Sequence, residues 1–128
     1  MDNNRIKYVE GLENLTKLEE LHISHQQLEE NESLEFSDKS MLALRDCLRI
    51  LNASHNRIKD IDPLKWLKSI KKINLSHNEI DNFEQVESVL QANLEELDLS
   101  GCPITKVKKY TEEMLLRIND YLSNEKSY

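Results

Sequence analysis

The sequence predicts an α/β solenoid in which short parallel strands stack into one concave sheet and short helices or 3-10 turns return along the convex side. Three observations predict it. A pattern of apolar positions closed by an amide recurs four times, and the segments between its copies share a second pattern. The composition is also lean, with 38% of the 128 residues hydrophobic and 5% aromatic. Such a chain suits an elongated stack, in which each unit buries its apolar side only against its neighbours.

The first pattern reads L-x-x-L-x-L-x-x-N-x-L. It is carried by Leu18/Leu21/Ile23/Gln26/Leu28, Leu48/Leu51/Ala53/Asn56/Ile58, Ile70/Ile73/Leu75/Asn78/Ile80 and Leu94/Leu97/Leu99/Cys102/Ile104. This is the signature of leucine-rich repeats. The second pattern follows the amide. After Asn56 come Ile58, Ile61, Pro63, Leu64, Leu67 and Ile70, and after Asn4 come Ile6, Val9, Gly11, Leu12, Leu15 and Leu18 at the same offsets. Residues 1–17 therefore read as the back half of a repeat, with Met1 where a strand leucine belongs. A fragment of a longer solenoid is expected on this ground, with residues 1–17 mobile or covered by a neighbouring chain.

The fold class predicted is thus a right-handed leucine-rich-repeat solenoid with a C-terminal capping helix. Repeats occupy residues 1–109, and the cap and tail occupy 110–128. The ladder positions Asn4, Gln26, Asn56, Asn78 and Cys102 stand 22, 30, 22 and 24 residues apart. A base unit of 22 is enlarged once at about residues 29–47 and lengthened slightly once more. The enlargement has an acidic lead-in (Glu29, Glu30, Glu32, Glu35) and then a longer convex helix. Ser37 or Asp38 is its expected cap, and it carries Met41, Leu42, Leu44, Cys47 and Leu48. In the last segment, Thr111 followed by Glu112 and Glu113 suits a helix start. Tyr110, Met114, Leu115, Ile118 and Leu122 would give that helix one apolar face, sealing the final coil.

Bulk properties exclude several functions. A formal net charge of −7 argues against affinity built on phosphate neutralisation, so no nucleic-acid partner is expected. No apolar run approaches the roughly 20 residues that cross a bilayer, and the start lacks the core of a signal peptide. No membrane partner is expected, and a cytoplasmic location is. Cys47 and Cys102 are too few for a disulfide framework or a zinc knuckle. The sequons at Asn14, Asn52 and Asn74 are read as chance.

Strand periodicity then assigns faces. Side chains alternate along a strand, so those flanking the buried leucines point to the concave side. That set is Glu20, His22, Ser24; Ile50, Asn52, Ser54; Lys72, Asn74, Ser76; Glu96, Asp98, Ser100. His25, His55 and His77 follow at the rim in "ISHQQL", "ASHNRI" and "LSHNEI" and complete the expected partner-contact set. Three histidines in one setting invite a metal-dependent enzyme as a rival reading, but equivalent positions on a straight ladder do not converge tetrahedrally on one ion. No cofactor, metal or catalytic residue is expected. A buried amide at Gln26, Asn56 and Asn78 satisfies backbone groups at each turn, and Cys102 stands in as a buried thiol. Charge is banded across the coils, with Glu19 and Glu20, then Arg49, then Lys71 and Lys72, then Glu95, Glu96 and Asp98. Such banding favours one complementary partner. Trp66 is assigned to core or convex packing.

The unit "NRIKYVEGLENLTKLEELHI" resembles the 22-residue class of leucine-rich-repeat proteins that includes regulatory subunits of protein phosphatase 1, axonemal dynein light chain 1 and a spliceosomal A-prime protein. The likeness is strong over residues 4–80 and loose beyond. Where that class writes its cap as "NPVCxxxxYR", this chain has "CPITKVKKY", keeping Pro103 and Tyr110. The resemblance implies a monomeric, non-catalytic scaffold that binds the phosphatase catalytic subunit near microtubules, the centrosome or the cilium. A tubulin or dynein adaptor is the alternative. No short docking sequence of the basic-Val/Ile-x-Phe/Trp type occurs, since "KKINL" ends in Leu75 and "KVKKY" has the wrong spacing. Any phosphatase contact would use the concave face.

Overall fold

The structure is a computed structural model that describes residues 2, 4–90, 92 and 94–106. The helix expected over 110–128 lies outside the described residues. The elements are β1 (Tyr8–Val9), β2 (Glu20–His22), β3 (Glu35–Phe36), α1 (Asp38–Ala43), β4 (Ile50–Asn52), a 3-10 turn (Asp62–Trp66), β5 (Lys72–Asn74), α2 (Phe83–Leu90), β6 (Glu96–Asp98) and a 3-10 turn (Pro103–Lys106). Two parallel sheets form. One is the four-stranded order β2-β4-β5-β6, and the other is the pair β1-β3.

Each strand of the larger sheet is three residues long, with its middle residue turned to the core. Leu21, Leu51 and Ile73 are buried in that position, and Leu97 is half-buried. Two residues on, Ile23, Ala53, Leu75 and Leu99 are buried as well. The register is exact from rung to rung, with Glu20 opposite Ile50, Lys72 and Glu96 in turn. One carbonyl just before each strand starts the pairing. Glu19 O accepts Arg49 and Ile50 N–H, Arg49 O accepts Lys71 and Lys72 N–H, and Lys71 O accepts Glu95 and Glu96 N–H.

Past each strand the chain turns inward, and its polar backbone enters the core. Buried amides satisfy it. Asn56 Nδ2 donates to Ile23 O and Ala53 O at 2.8 and 3.0 Å, while its Oδ1 accepts Gln26 N–H at 2.8 Å. Asn78 repeats this one coil on, donating to Ala53 O and Leu75 O and accepting Asn56 N–H and Ile58 N–H. Gln26 reaches the coil before it, its Oε1 accepting Ile6 N–H at 2.9 Å. Cys102 donates its thiol to Leu75 O at 3.1 Å, and burial pushes that thiol up. Asn4 departs from the expected ladder. It is exposed, and its Nδ2 donates to the Asp2 carbonyl.

Differences in coil length are absorbed on the far side. The coil after Asn56 returns through the 3-10 turn Asp62–Trp66, with Pro63 and Leu64 buried. The next coil, two residues longer, makes α2, whose first turn is capped by Asn82 Oδ1 accepting Glu84 N–H at 2.8 Å. Val86 and Val89 bury its inner side, and Gln85 Oε1 accepts Ile61 N–H to tie it to the preceding coil.

The enlarged coil corrects the expectation of a longer convex helix. Leu34 and Phe36 are buried around an exposed Glu35, a period of two, and this stretch forms β3 against Tyr8–Val9. Only six residues remain helical in α1. Ser37 caps it, accepting Ser40 N–H at 3.3 Å. Met41 and Leu44 enter the core, whereas Leu42 is exposed. Ser40 Oγ accepts Leu12 N–H and donates to Glu13, joining α1 to the first segment. Trp66 is half-buried on this side, with its Nε1 donating to Asp38 Oδ1 at 2.9 Å.

The ladder predicts a specific loss. Asn78→Ala leaves several buried N–H and C=O groups without partners, each costing about 1–3 kcal/mol. Urea unfolding should show a destabilisation of about 3 kcal/mol or more, while the exposed change Asn82→Ala loses a cap worth about 1 kcal/mol.

Candidate functional site

The face of β2, β4, β5 and β6 opposite the core carries two columns of side chains, set by the register. One column is Glu20, Ile50, Lys72 and Glu96, and the other is His22, Asn52, Asn74 and Asp98. Ile50 is half-buried in its column, flanked by exposed charges at Glu20 and Lys72. Apart from Glu20, both columns line a trough of about 610 Å³. Neighbouring rungs pair their charges along the sheet. Arg49 Nε stands 3.7 Å from Glu19 and Lys72 Nζ 4.0 Å from Glu96, all well exposed. Pairs this open contribute only about 0–1 kcal/mol each, and a partner's charges can replace them.

The asparagines turn part of themselves back onto the chain. Asn52 Oδ1 accepts Ser54 N–H at 3.3 Å, and Asn74 Oδ1 accepts Ser76 N–H at 3.0 Å. Asp98 does the same with both Ser100 N–H and Ser100 Oγ–H, and these bonds, with His77 nearby, hold its carboxyl below the usual range.

Here the structure corrects the expected contact set. Ser24, Ser54 and Ser76 are 6%, 5% and 7% exposed, too closed to meet a partner. Each strand ends two residues before its serine, and in the turn that follows Ser54 N–H and Ser76 N–H donate to Asn52 and Asn74, while Ser24 N–H donates to Asp2 Oδ1. Ser100 on the last described rung is exposed.

The rim histidines have a backbone reason. His25, His55 and His77 sit at φ of 56°, 59° and 55°, and Gly101 takes the same place in the fourth coil at φ 77°. Left-handed backbone is costly for most side chains and less so for His or Asn, so this turn narrows the choice of residue. Stacking repays part of the cost. The imidazole of His55 lies between the other two, with ring centroids 4.1 Å from His25 and 4.4 Å from His77. His77 in turn covers Gly101 so closely that a Cβ there would collide with its ring. Burial, reinforced by the neighbouring imidazoles of His25 and His77, lowers the His55 pKa. Among the described residues no cluster of His, Cys, Asp or Glu is placed to hold a metal ion.

The signal for this role was Gly101 itself, the one glycine in register with three histidines. Glu19 and Arg49, by contrast, were legible as charges but not as a pair, because their meeting depends on the enlarged coil returning to the same register.

A family model described as Leucine Rich repeats (2 copies) matches residues 48–88, and another, described as Leucine Rich Repeat, matches residues 93–111. The two spans include β4, β5 and β6 with the amide or thiol that closes each coil.

Two measurements follow from the rim. The unfolded imidazole titrates near 6.5 and folded His55 lower, so its contribution to stability is complete above about pH 6.5 and is lost as pH falls through the folded value. Proton NMR should place the His55 midpoint below that of free imidazole, and His25→Ala or His77→Ala should raise it. Gly101→Ala should displace the His77 ring and destabilise the fold by about 1–2 kcal/mol from backbone strain alone, visible as a shifted His77 resonance and a lower urea midpoint.

Proposed function

This chain is a leucine-rich-repeat protein, and from that premise we propose that it is a non-catalytic protein-binding scaffold whose partner docks on the face of β2, β4, β5 and β6. Leucine-rich repeats generally bind protein partners, and the trough supplies a site for one. The observation that carries the reading is the column Glu20, Ile50, Lys72 and Glu96, a half-buried apolar side chain held in register among exposed charges. Contacts of that composition give specificity and encounter rate through charge, with an apolar contact to exclude water.

The finer reading is a regulatory or targeting subunit of protein phosphatase 1, acting as a monomer in the cytoplasm at microtubules, the centrosome or the cilium. Its support is sequence resemblance. The stretches "VEGLENLTKLEELHISHQQL" and "ESLEFSDKSMLALRDCLRILNASHNRIKDI", with the order of coil lengths, are similar to regulatory subunit 42 of that phosphatase, the testis leucine-rich-repeat protein. The same reading makes the stack a right-handed solenoid closed by a helix over 110–128.

A pull-down with the phosphatase catalytic subunit tests it. Wild type should be captured, and Lys72→Glu/Asp98→Lys, at two exposed positions, should lose at least tenfold in capture with an unchanged circular dichroism spectrum. Equal capture of both overturns the face. Capture of neither overturns the phosphatase, and capture of tubulin or dynein instead makes the chain an adaptor for them.

A further inference from the structure

Resting on the binding-face reading above, we infer that the occupant of the trough is an α-helix laid across the strands, presenting one side chain per turn in the order basic, apolar, acidic, basic. Two repeats make the case. Parallel strands stand about 4.8 Å apart, and an α-helix advances about 5.4 Å per turn. A helix lying along the stacking direction drifts by only about 0.6 Å per rung, so its side chains stay over one column. An extended segment repeats its side chains on one face every 6.8 Å or so and falls out of step by about 2 Å at each rung. The helix is out of step by only about 2 Å over all four.

The charges then read off the partner. Along the first column the face offers Glu20, Ile50, Lys72 and Glu96 in register. The complement is a cation, an apolar side chain, an anion and a cation, at positions i, i+4, i+7 and i+11, which share one side of a helix. The Lys72–Glu96 pair is 4.0 Å apart with side chains 48% and 70% exposed, so each can exchange its neighbour for a partner group. Ile50 lies one rung in from the β2 edge, which sets the apolar contact off centre and makes the two directions of the helix distinguishable. The second column adds Asp98 at the β6 end, reinforcing the demand for a cation there.

The test uses the whole chain and side-chain-stapled helical peptides on an alanine and glutamine background. One carries Lys, Leu, Glu and Lys at i, i+4, i+7 and i+11. A second carries Lys, Glu, Leu and Lys at i, i+4, i+7 and i+11 for the opposite direction, and a third is the charge-inverted Glu, Leu, Lys and Glu. Fluorescence anisotropy at low ionic strength should show one of the first two binding at least tenfold tighter than the third. The exposed double change Glu20→Lys/Glu96→Lys should reverse that preference, and added salt should compress it. Equal binding of all three, absence of saturable binding by either of the first two, or a preference unmoved by the double change overturns the helix. Should the peptides fail while Lys72→Glu/Asp98→Lys still loses capture of the protein partner, the face stands and only its occupant's form is wrong. Should that variant keep full capture, the face itself is refuted.

Discussion

Two buried side-chain amides, Asn56 and Asn78, set the conditions for everything around them. A chain that turns inward after every three-residue strand brings N–H and C=O groups into a core of leucine and isoleucine, where each unpaired group is expensive. Each amide answers with both of its ends. Its nitrogen donates to carbonyls of its own coil and the one before, and its oxygen accepts from the preceding coil's backbone. Adjacent coils are thereby locked at a fixed offset. The strand register that aligns Glu20, Ile50, Lys72 and Glu96 is a consequence of that lock as much as of strand pairing.

Once the turn is fixed, length can vary only where the lock does not reach. Coils of 22, 24 and 30 residues differ in their return segments, which form a 3-10 turn, the eight-residue α2, or β3 followed by α1. The strand face is the same throughout. The far side can therefore gain an insertion such as β3 and α1 while the columns on the strand face keep their spacing. The rim histidines belong to the fixed part. Their left-handed backbone is imposed by the turn, and their stacking follows from three such turns at one pitch.

The periodic leucines make the core and strand order readable in the sequence, since a residue's burial in a repeat depends on its place in the unit. Gln26, Asn56, Asn78 and Cys102 were readable for the same reason. What escaped was decided by contacts between coils. Ser24, Ser54 and Ser76 obey strand alternation on paper, yet the chain leaves the strand just before them and buries them. Leu34 and Phe36 alternate too briefly to announce a strand, and only Tyr8–Val9, distant in sequence, gives β3 something to pair with. For the face, the charge bands were legible by residue type, whereas the pairing of Arg49 with Glu19 and of Lys72 with Glu96 needed the register.

The amide ladder holds the coils, and through them the strand face, in register. Native-state hydrogen exchange of the backbone N–H groups of Asn56 and Ile58, both bonded to Asn78 Oδ1, tests it most directly. Both should exchange only through global unfolding, as slowly as the strand amides of Leu51 and Ile73. Exchange at the rate of an open surface turn, with the strand amides still protected, would contradict it.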